Sequence, residues 1–326
     1  MSGIFRLSTR QVVILLLMSL LWGMAFAWTS TAGWFRDQAN GADTALQAGE
    51  YELRLESGRK YLLHVPASYD GTQPLPLLFF FHGGGGHMEH AAEHYGWCET
   101  AEREGFIVAF PNGSSVLPRG RLATWSAGEC CGYARDNGVD EVAFVRGMIA
   151  DIAAKVAIDK KRIFATGMSN GGTLAHRLAC EMADIFTAVA SVAGTDNTTV
   201  CTPARPISVM HIHALDDTHV LFNGGAGEDA FRDPAKVTDF TSVSETIARW
   251  VVRDGLDETP QRVLDIPGAH ADLYTAKGSP AQVELVVTDN GGHSWPGGQS
   301  VRGNHPSQAI DANQVIWEFF VRQVRE

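Results

Sequence analysis

Residues 167–172 read Gly-Met-Ser-Asn-Gly-Gly, placed between the apolar run Ile163-Phe164-Ala165-Thr166 and the stretch TLAHRLAC. A serine hydroxyl is a weak nucleophile on its own and needs a base within hydrogen-bond reach. The G-x-S-x-G spacing makes a sharp strand-to-helix turn that presents Ser169 outward. Small residues two before and two after the serine keep the crossing segments from colliding. The same residues would also suit a plain glycine-rich loop with Ser169 as helix N-cap. A strand before and a helix after favour the nucleophile.

Such a turn sets an order for its partners: serine, then Asp or Glu, then His. Of twelve histidines, His293 in Asn290-Gly291-Gly292-His293-Ser294-Trp295-Pro296 follows the last strand pattern, VELVVTD. A loop there lets its imidazole reach over Ser169 and take the hydroxyl proton. The acid should follow the apolar run ISVMHIHA, which leaves Asp216 or Asp217. Its role is to fix the imidazole tautomer and stabilise the imidazolium formed during attack. Residue type alone does not choose between the two.

The negative oxygen formed in that attack needs backbone donors. Asn170, directly after the serine, offers one N–H, and the loop after LPLLFFF offers the second. That loop is His82-Gly83-Gly84-Gly85-Gly86, whose glycines let the main chain approach a substrate without a β-carbon in the way. Gly84 is the expected donor, with Gly83 next. Loss of one such donor typically costs about 3–4 kcal/mol of transition-state stabilisation.

Other histidines carry less. His87, His90 and His94 are spaced three and four apart and would share one helix face. No cysteine accompanies them and the spacing is not H-E-x-x-H, so neither a metal nor another cofactor is expected. His211 and His213 alternate along a strand, where one reads most simply as a satisfied buried histidine.

The elements that must hold these residues alternate along the chain. YELRLES and KYLLHVP flank Ser57-Gly58-Arg59 as an antiparallel hairpin would. LPLLFFF is a continuous apolar run, the pattern of a strand covered on both faces. A helical stretch ends at Gly105, and FIVAFP is the next buried strand. EVAFVRGMIADIAAKV has helical spacing, with Asp140 as N-cap. After IFAT, FTAVASVAG and ISVMHIHA comes a helix with a Ser242–Glu245 capping box, closed by Gly255. VELVVTD and the amphipathic SQAIDANQVIWEFFVRQV complete the series. This alternation predicts an α/β protein: one domain, residues 45–326, with a mostly parallel sheet covered by helices on both faces.

Residues 1–27 read as a secretory signal. Arg6 and Arg10 precede the apolar stretch Val12–Leu21, and Ala25-Phe26-Ala27 makes an A-x-A cleavage site. A retained anchor is the rival reading. Residues 28–44 are polar and aperiodic, a linker or loosely attached arm. A secreted or periplasmic location follows, with no membrane association after cleavage. The formal net charge of −11 argues against nucleic-acid binding, which draws on neutralised phosphates. Five cysteines in an exported chain suggest disulfides with one thiol left over. Cys180 and Cys201 are the expected pair, and Cys98 with Cys130 or Cys131 is a second candidate.

At this point five ordered motifs together resemble the secreted α/β-hydrolase esterases related to poly(3-hydroxybutyrate) depolymerases and to feruloyl and acetylxylan esterases. They are the glycine-rich loop after His82, TWSAGECCGYA, GMSNGG, HALDDTHVLFNGG and GGHSWPGG. The resemblance covers residues 50 to 322. It implies an α/β-hydrolase fold and a serine carboxylic-ester hydrolase with the triad Ser169, Asp217 and His293. Asp217 is chosen over Asp216 because it precedes Thr218-His219-Val220, as the catalytic aspartate does in the family segment. Departures fall beside the site: Ala214 stands for a glycine, and Leu221-Phe222 for Pro-Tyr.

The implied substrate is a small or oligomeric ester: a feruloyl or acetyl ester of a sugar, or a hydroxyalkanoate. Trp125 and Trp295 are candidate substrate-binding walls, and Asn223 to Thr238 a candidate flap. Two rivals share these residues. A serine peptidase would use the same triad, and a non-catalytic carbohydrate- or polymer-binding module would use only the cleft.

Overall fold

The structure, a computed structural model, describes residues 36–37, 45–117, 120–230, 238–299 and 305–325. The chain divides into two compact units, Met1–Arg36 and Asp37–Glu326, and the candidate site lies wholly in the second. The expected signal at 1–27 and most of the arm at 28–44 lie outside the described residues, as do 231–237 of the expected flap. Among the described residues no helix is long and apolar enough to cross a membrane.

Among the described residues eleven strands make one sheet. They are β1 (Arg36–Asp37), β2 (Gly49–Arg54), β3 (Lys60–Val65), β4 (Leu75–Phe81), β5 (Ile107–Pro111) and β6 (Ile158–Met168). After these come β7 (Ala188–Val192), β8 (Ser208–Ala214), β9 (Gln261–Ile266), β10 (Ala269–Tyr274) and β11 (Val283–Thr288). Their order across the sheet is β1-β2-β3-β5-β4-β6-β7-β8-β11-β10-β9. The central run from β5 to β11 is parallel, while β2, β3, β9 and β10 pair antiparallel at the flanks.

Seven helices are described: α1 (Met88–His94), α2 (Trp97–Glu104), α3 (Gly132–Asp136), α4 (Glu141–Lys155), α5 (Asn170–Glu181), α6 (Val243–Arg253) and α7 (Ala312–Val321). Successive strand residues point to opposite faces, so the run Phe79-Phe80-Phe81 feeds two cores. Phe79 and Phe81 join a cluster with Phe144 of α4, Leu174 of α5 and Trp250 of α6. Phe80 turns the other way onto Trp97 of α2, and on that face Phe164 stacks with Phe320 of α7. Both faces are covered, which is why the central strands read as unbroken apolar runs.

Capping follows the sequence closely. Asp140 accepts from the Ala143 N–H at 2.9 Å and Ser242 from the Glu245 N–H at 3.1 Å. The β9–β10 hairpin was not foreseen. Its first strand is largely exposed, so it lacks the apolar alternation that marks a half-buried strand, and only Pro267-Gly268 signals its turn. Cys180 and Cys201 form the expected disulfide across a separation of 21 residues. Closing a loop of that size stabilises by about 3 kcal/mol. The second candidate pairing is corrected: Cys130 bonds its neighbour Cys131, and Cys98 on α2 forms no disulfide.

One buried acid gives a pH prediction. Asp254, directly after α6, is 4% exposed; its Oδ1 accepts from the Ile207 N–H at 3.0 Å, while Oδ2 is buried without a partner. Burial pushes its pKa up to about 7, against the pull of the Ile207 N–H and of Arg253 and Arg205. An unfolded aspartate titrates near 3.9, so between about pH 4 and 7 the folded chain holds a proton that the unfolded chain releases. Stability from this group is therefore complete at low pH and lost as pH rises through that window. Asp254→Asn should leave stability near pH 4 little changed and raise it by about 1–3 kcal/mol at pH 8. Urea midpoints at the two pH values check this; an equal change at both would exclude the buried charge as cause.

Candidate active site

Strand β6 ends at Met168 and α5 begins at Asn170, so the whole turn is made on Ser169. Its backbone sits at φ 55°, ψ −121°, a conformation non-glycine residues rarely hold. Two main-chain bonds impose it: the Ser169 N–H donates to Val192 O at 2.8 Å, and its carbonyl accepts from the Thr173 N–H at 2.8 Å. The flanking glycines are sterically required. A β-carbon at Gly167 would lie 2.6 Å from the carbonyl oxygens of Phe81 and Gly171, and one at Gly171 would run into Phe81 O and His82 O.

The acid and the base leave adjacent parallel strands. Ala214, the end of β8, pairs with Thr288, the end of β11, so the loops bearing Asp217 and His293 start side by side. His293 Nδ1 donates to Asp217 Oδ2 at 2.8 Å. Asp217 Oδ1 accepts from the N–H groups of His219 and Val220, at 2.8 and 3.0 Å. Burial disfavours its charge, yet hydrogen bonds from His213 and His293, and the proximity of both rings, hold its pKa far below the usual carboxylate range. Asp216 serves the loop instead. Its Oδ1 accepts from the Gly292 N–H at 2.8 Å, tying down the residue before the base.

With Nδ1 donating, the neutral His293 ring keeps its lone pair on Nε2. Ser169 and His293 line the same cavity of about 280 Å³, together with Gly83, Gly84, Asn170 and His219. Among the described residues no direct hydrogen bond joins the serine hydroxyl to the ring; in ligand-free sites such contacts often tighten only when substrate binds. The His219 ring stacks on His293 with centroids 4.5 Å apart and planes 13° apart. Burial, and then His293, lower the pKa of His219. Sequence reading missed this partner, although its place two residues after Asp217 was the available signal.

The glycine loop packs directly against the turn. A β-carbon on Gly83 would be 3.6 Å from Ser169 Cβ, and one on Gly84 3.6 Å from Asn170 Cβ. Among the described residues nothing accepts from the Gly84 N–H, and the Asn170 N–H opens a helix and has no acceptor within it. Buried His82 braces the loop: Nδ1–H donates to Gly83 O at 2.8 Å and Nε2 accepts from the Gly113 N–H at 3.0 Å. Burial lowers its pKa to about 4, so it remains neutral.

The two tryptophans part company. Trp125 is fully buried and does not line the cavity, a correction to its expected place. Its backbone N–H donates to Asn170 Oδ1 at 2.7 Å, its carbonyl accepts from Asn170 Nδ2 at 3.0 Å, and its indole N–H donates to His82 O at 2.8 Å. It fixes both donor segments from behind. Trp295, tied by Nε1 to Asn313 Oδ1 at 2.7 Å, does line a second cavity of about 240 Å³ with His90, His94 and Tyr95. The two cavities meet at Met168, Tyr95 and His293.

His87 caps α1, accepting from the His90 N–H at 3.3 Å, and its ring meets the His90 ring edge-on, while the His90 and His94 rings stack. Among the described residues two sets of side chains bring donor atoms within 4.8 Å of one another: Asp217, His219 and His293 in this site, and apart from it Glu50, His64 and Cys98. In the first set the Asp217–His293 hydrogen bond already occupies the facing atoms.

Residues 60–227 match the family model described as "Esterase PHB depolymerase". The chain is 28% identical over 244 residues to "Feruloyl esterase B" of Piromyces equi, covering 72% of this chain and 42% of that protein. It is 29% identical over 291 residues to "Probable feruloyl esterase C" of Aspergillus niger, covering 86% of this chain and 89% of that one. The chain thus spans less than half the length of the Piromyces relative. Among solved structures, the acetyl xylan esterase from Aspergillus awamori superposes with TM-score 0.56 at 14% identity, over 84% of this chain and 99% of that one. This likeness shows the α/β-hydrolase fold.

Proposed function

Because the chain belongs to the PHB-depolymerase esterase family, whose model matches just over half of it, we propose that it is a serine carboxylic-ester hydrolase working through an acyl-enzyme. Ser169 attacks the ester carbonyl while His293 takes its proton at Nε2. Asp217 holds His293 in the Nδ1–H tautomer and stabilises the imidazolium. The N–H groups of Asn170 and Gly84 receive the oxyanion. His293 then protonates the leaving alcohol, and water repeats the cycle on the acyl-serine. The observation carrying this reading is the 2.8 Å His293–Asp217 bond beside a cavity into which the Ser169 turn opens.

The substrate we propose is an ester of modest size: a feruloyl or acetyl ester of a sugar, or a hydroxyalkanoate. A cavity of about 280 Å³ stands at the lower edge of the roughly 300–1,000 Å³ range of ligand clefts, which suits a single acyl group. The second cavity, walled by Trp295 and Tyr95, gives an aromatic or sugar ring a place on the far side of His293. Export fits the signal-like residues 1–27 and the Cys180–Cys201 bridge.

A fluorophosphonate probe followed by peptide mapping should label Ser169. The protein should hydrolyse p-nitrophenyl acetate and at least one of methyl ferulate, acetylated xylan and hydroxybutyrate oligomers, and leave matched amides intact. No labelling and no ester turnover would sink the reading, and faster amide cleavage would make it a peptidase.

A further inference from the structure

Behind the acid runs a row of buried rings that takes no part in the chemistry above. Trp250 Nε1 lies 3.0 Å from His176 Nδ1. His176 Nε2 lies 3.4 Å from His211 Nδ1, and His211 Nε2 lies 3.0 Å from His213 Nδ1. His213 Nε2 ends the row, 2.8 Å from Val220 O and 3.3 Å from Asp217 Oδ2. No ring in it is more than 1% exposed.

Donor chemistry gives the row a direction. An indole N–H only donates, and a neutral imidazole has one donor and one acceptor. Trp250 therefore makes His176 Nδ1 an acceptor, which puts the His176 hydrogen on Nε2. The same step repeats at His211 and again at His213, whose Nε2–H must face the Val220 carbonyl and the Asp217 carboxylate. Both of these only accept, so the far end demands the same direction as the near end. Burial lowers His176 to about 4 and His211 well below its ordinary value, which keeps both rings neutral. The charged neighbours are Asp196 and Arg253, paired at 2.5 Å beside His176, and Asp217, His219 and His293 at the other end.

We propose that Trp250, His176 and His211 form a one-directional relay that fixes His213 as a neutral Nε2–H donor to Asp217, making His213 a positioning residue for the triad. This rests on the reading of Asp217 as the acid that orients His293. The row places the positive ends of its dipoles at the carboxylate without adding a net charge. A lysine there would hold Asp217 as firmly but would oppose the imidazolium that forms on His293 during attack. A lone buried histidine beside a carboxylate could take a second proton on Nδ1; the His211 N–H aimed at that atom removes the choice.

Long-range proton–nitrogen spectra of the histidine-labelled wild type, between pH 6 and 8, should show His176, His211 and His213 as neutral Nε2–H tautomers. An Nδ1–H or doubly protonated ring among the three overturns the proposal. In kinetics, His213→Leu should lower kcat about 10- to 100-fold with KM within about twofold. His213→Gln, which keeps a donor near the Nε2 position, should recover most of that loss. Unchanged kcat in His213→Leu, or equal losses in both variants, would reduce the row to packing. If His213→Leu does not fold, Trp250→Phe decides: it keeps a buried ring and removes the indole N–H, so the His176 signal should shift or split while the two acceptors keep His213 as Nε2–H; a His176 signal unchanged from the wild type refutes the relay. Fluorophosphonate labelling of Ser169 runs alongside. A wild type with the expected tautomers but no labelling counts against the esterase reading and leaves the row's direction standing.

Discussion

Ser169→Ala is expected to lower kcat for p-nitrophenyl acetate by about 10⁴- to 10⁶-fold while the protein stays folded. The loss is large because no other group near His293 offers a nucleophile in the same place: the turn that presents Ser169 is fixed by its bonds to Val192 and Thr173. Background rate from the Gly84 and Asn170 donors should remain, as it does when a triad member is removed and the oxyanion site is left. Stability should move by less than about 1 kcal/mol, because the hydroxyl makes no hydrogen bond among the described residues and alanine keeps the β-carbon. Thermal melts and active-site titration of the purified variant check both halves. A variant retaining more than about a hundredth of the wild-type rate would remove Ser169 from the mechanism.

Asp217→Asn should cost about 10⁴-fold in kcat, and the hydrogen-bond pattern shows why an isosteric change is so damaging. The Oδ1 side accepts two backbone N–H groups, from His219 and Val220. An asparagine is best held with its oxygen there, since those two backbone donors are fixed whereas His293, on the Oδ2 side, can move its hydrogen away. Its NH₂ then faces His293 Nδ1, where the wild type has an acceptor. His293 answers by moving its own hydrogen to Nε2, and the nitrogen that should take the serine proton becomes a donor. Binding is spared, so KM should change little. The His293 nitrogen spectrum should switch from Nδ1–H to Nε2–H along with the fall in kcat; a fall without the switch would mean that Asp217 acts in another way.

Much of this is legible in the chain itself. The strand and helix periods, the order of the motifs and the glycines around Ser169 each state a local requirement, and local requirements leave marks in sequence. Gly167 and Gly171 are forced by backbone atoms only a few residues away or on the next strand. The choice between Asp216 and Asp217 rested on family resemblance. In space the two are told apart by what they bond, Gly292 for one and His293 for the other.

What was not legible arises from meetings between distant segments. His176 and His211 are 35 residues apart, and Trp250 is 74 from His176. Nothing in a His-x-His pair on a strand says that two helices will bring a third ring and an indole into line with it. Trp125 is expected along the cleft because tryptophan serves walls and cores alike; the two hydrogen bonds between its backbone and the Asn170 side chain, 45 residues on, decide for the core. The Cys130–Cys131 link lies outside the expected pairings, because the count and spacing of cysteines do not say which of the three pair.

The adjacency of β8 and β11 also bears on when the proposed triad becomes complete. The serine turn needs only β6, α5 and β7, all complete by Val192, whereas the imidazole arrives on a loop made after residue 288. A chain arrested before that point carries Ser169 without the imidazole proposed to deprotonate it. On the proposed mechanism hydrolysis would report finished assembly, and a slip of one residue between these two strands, about 3.3 Å, would silence it without changing any of the three side chains.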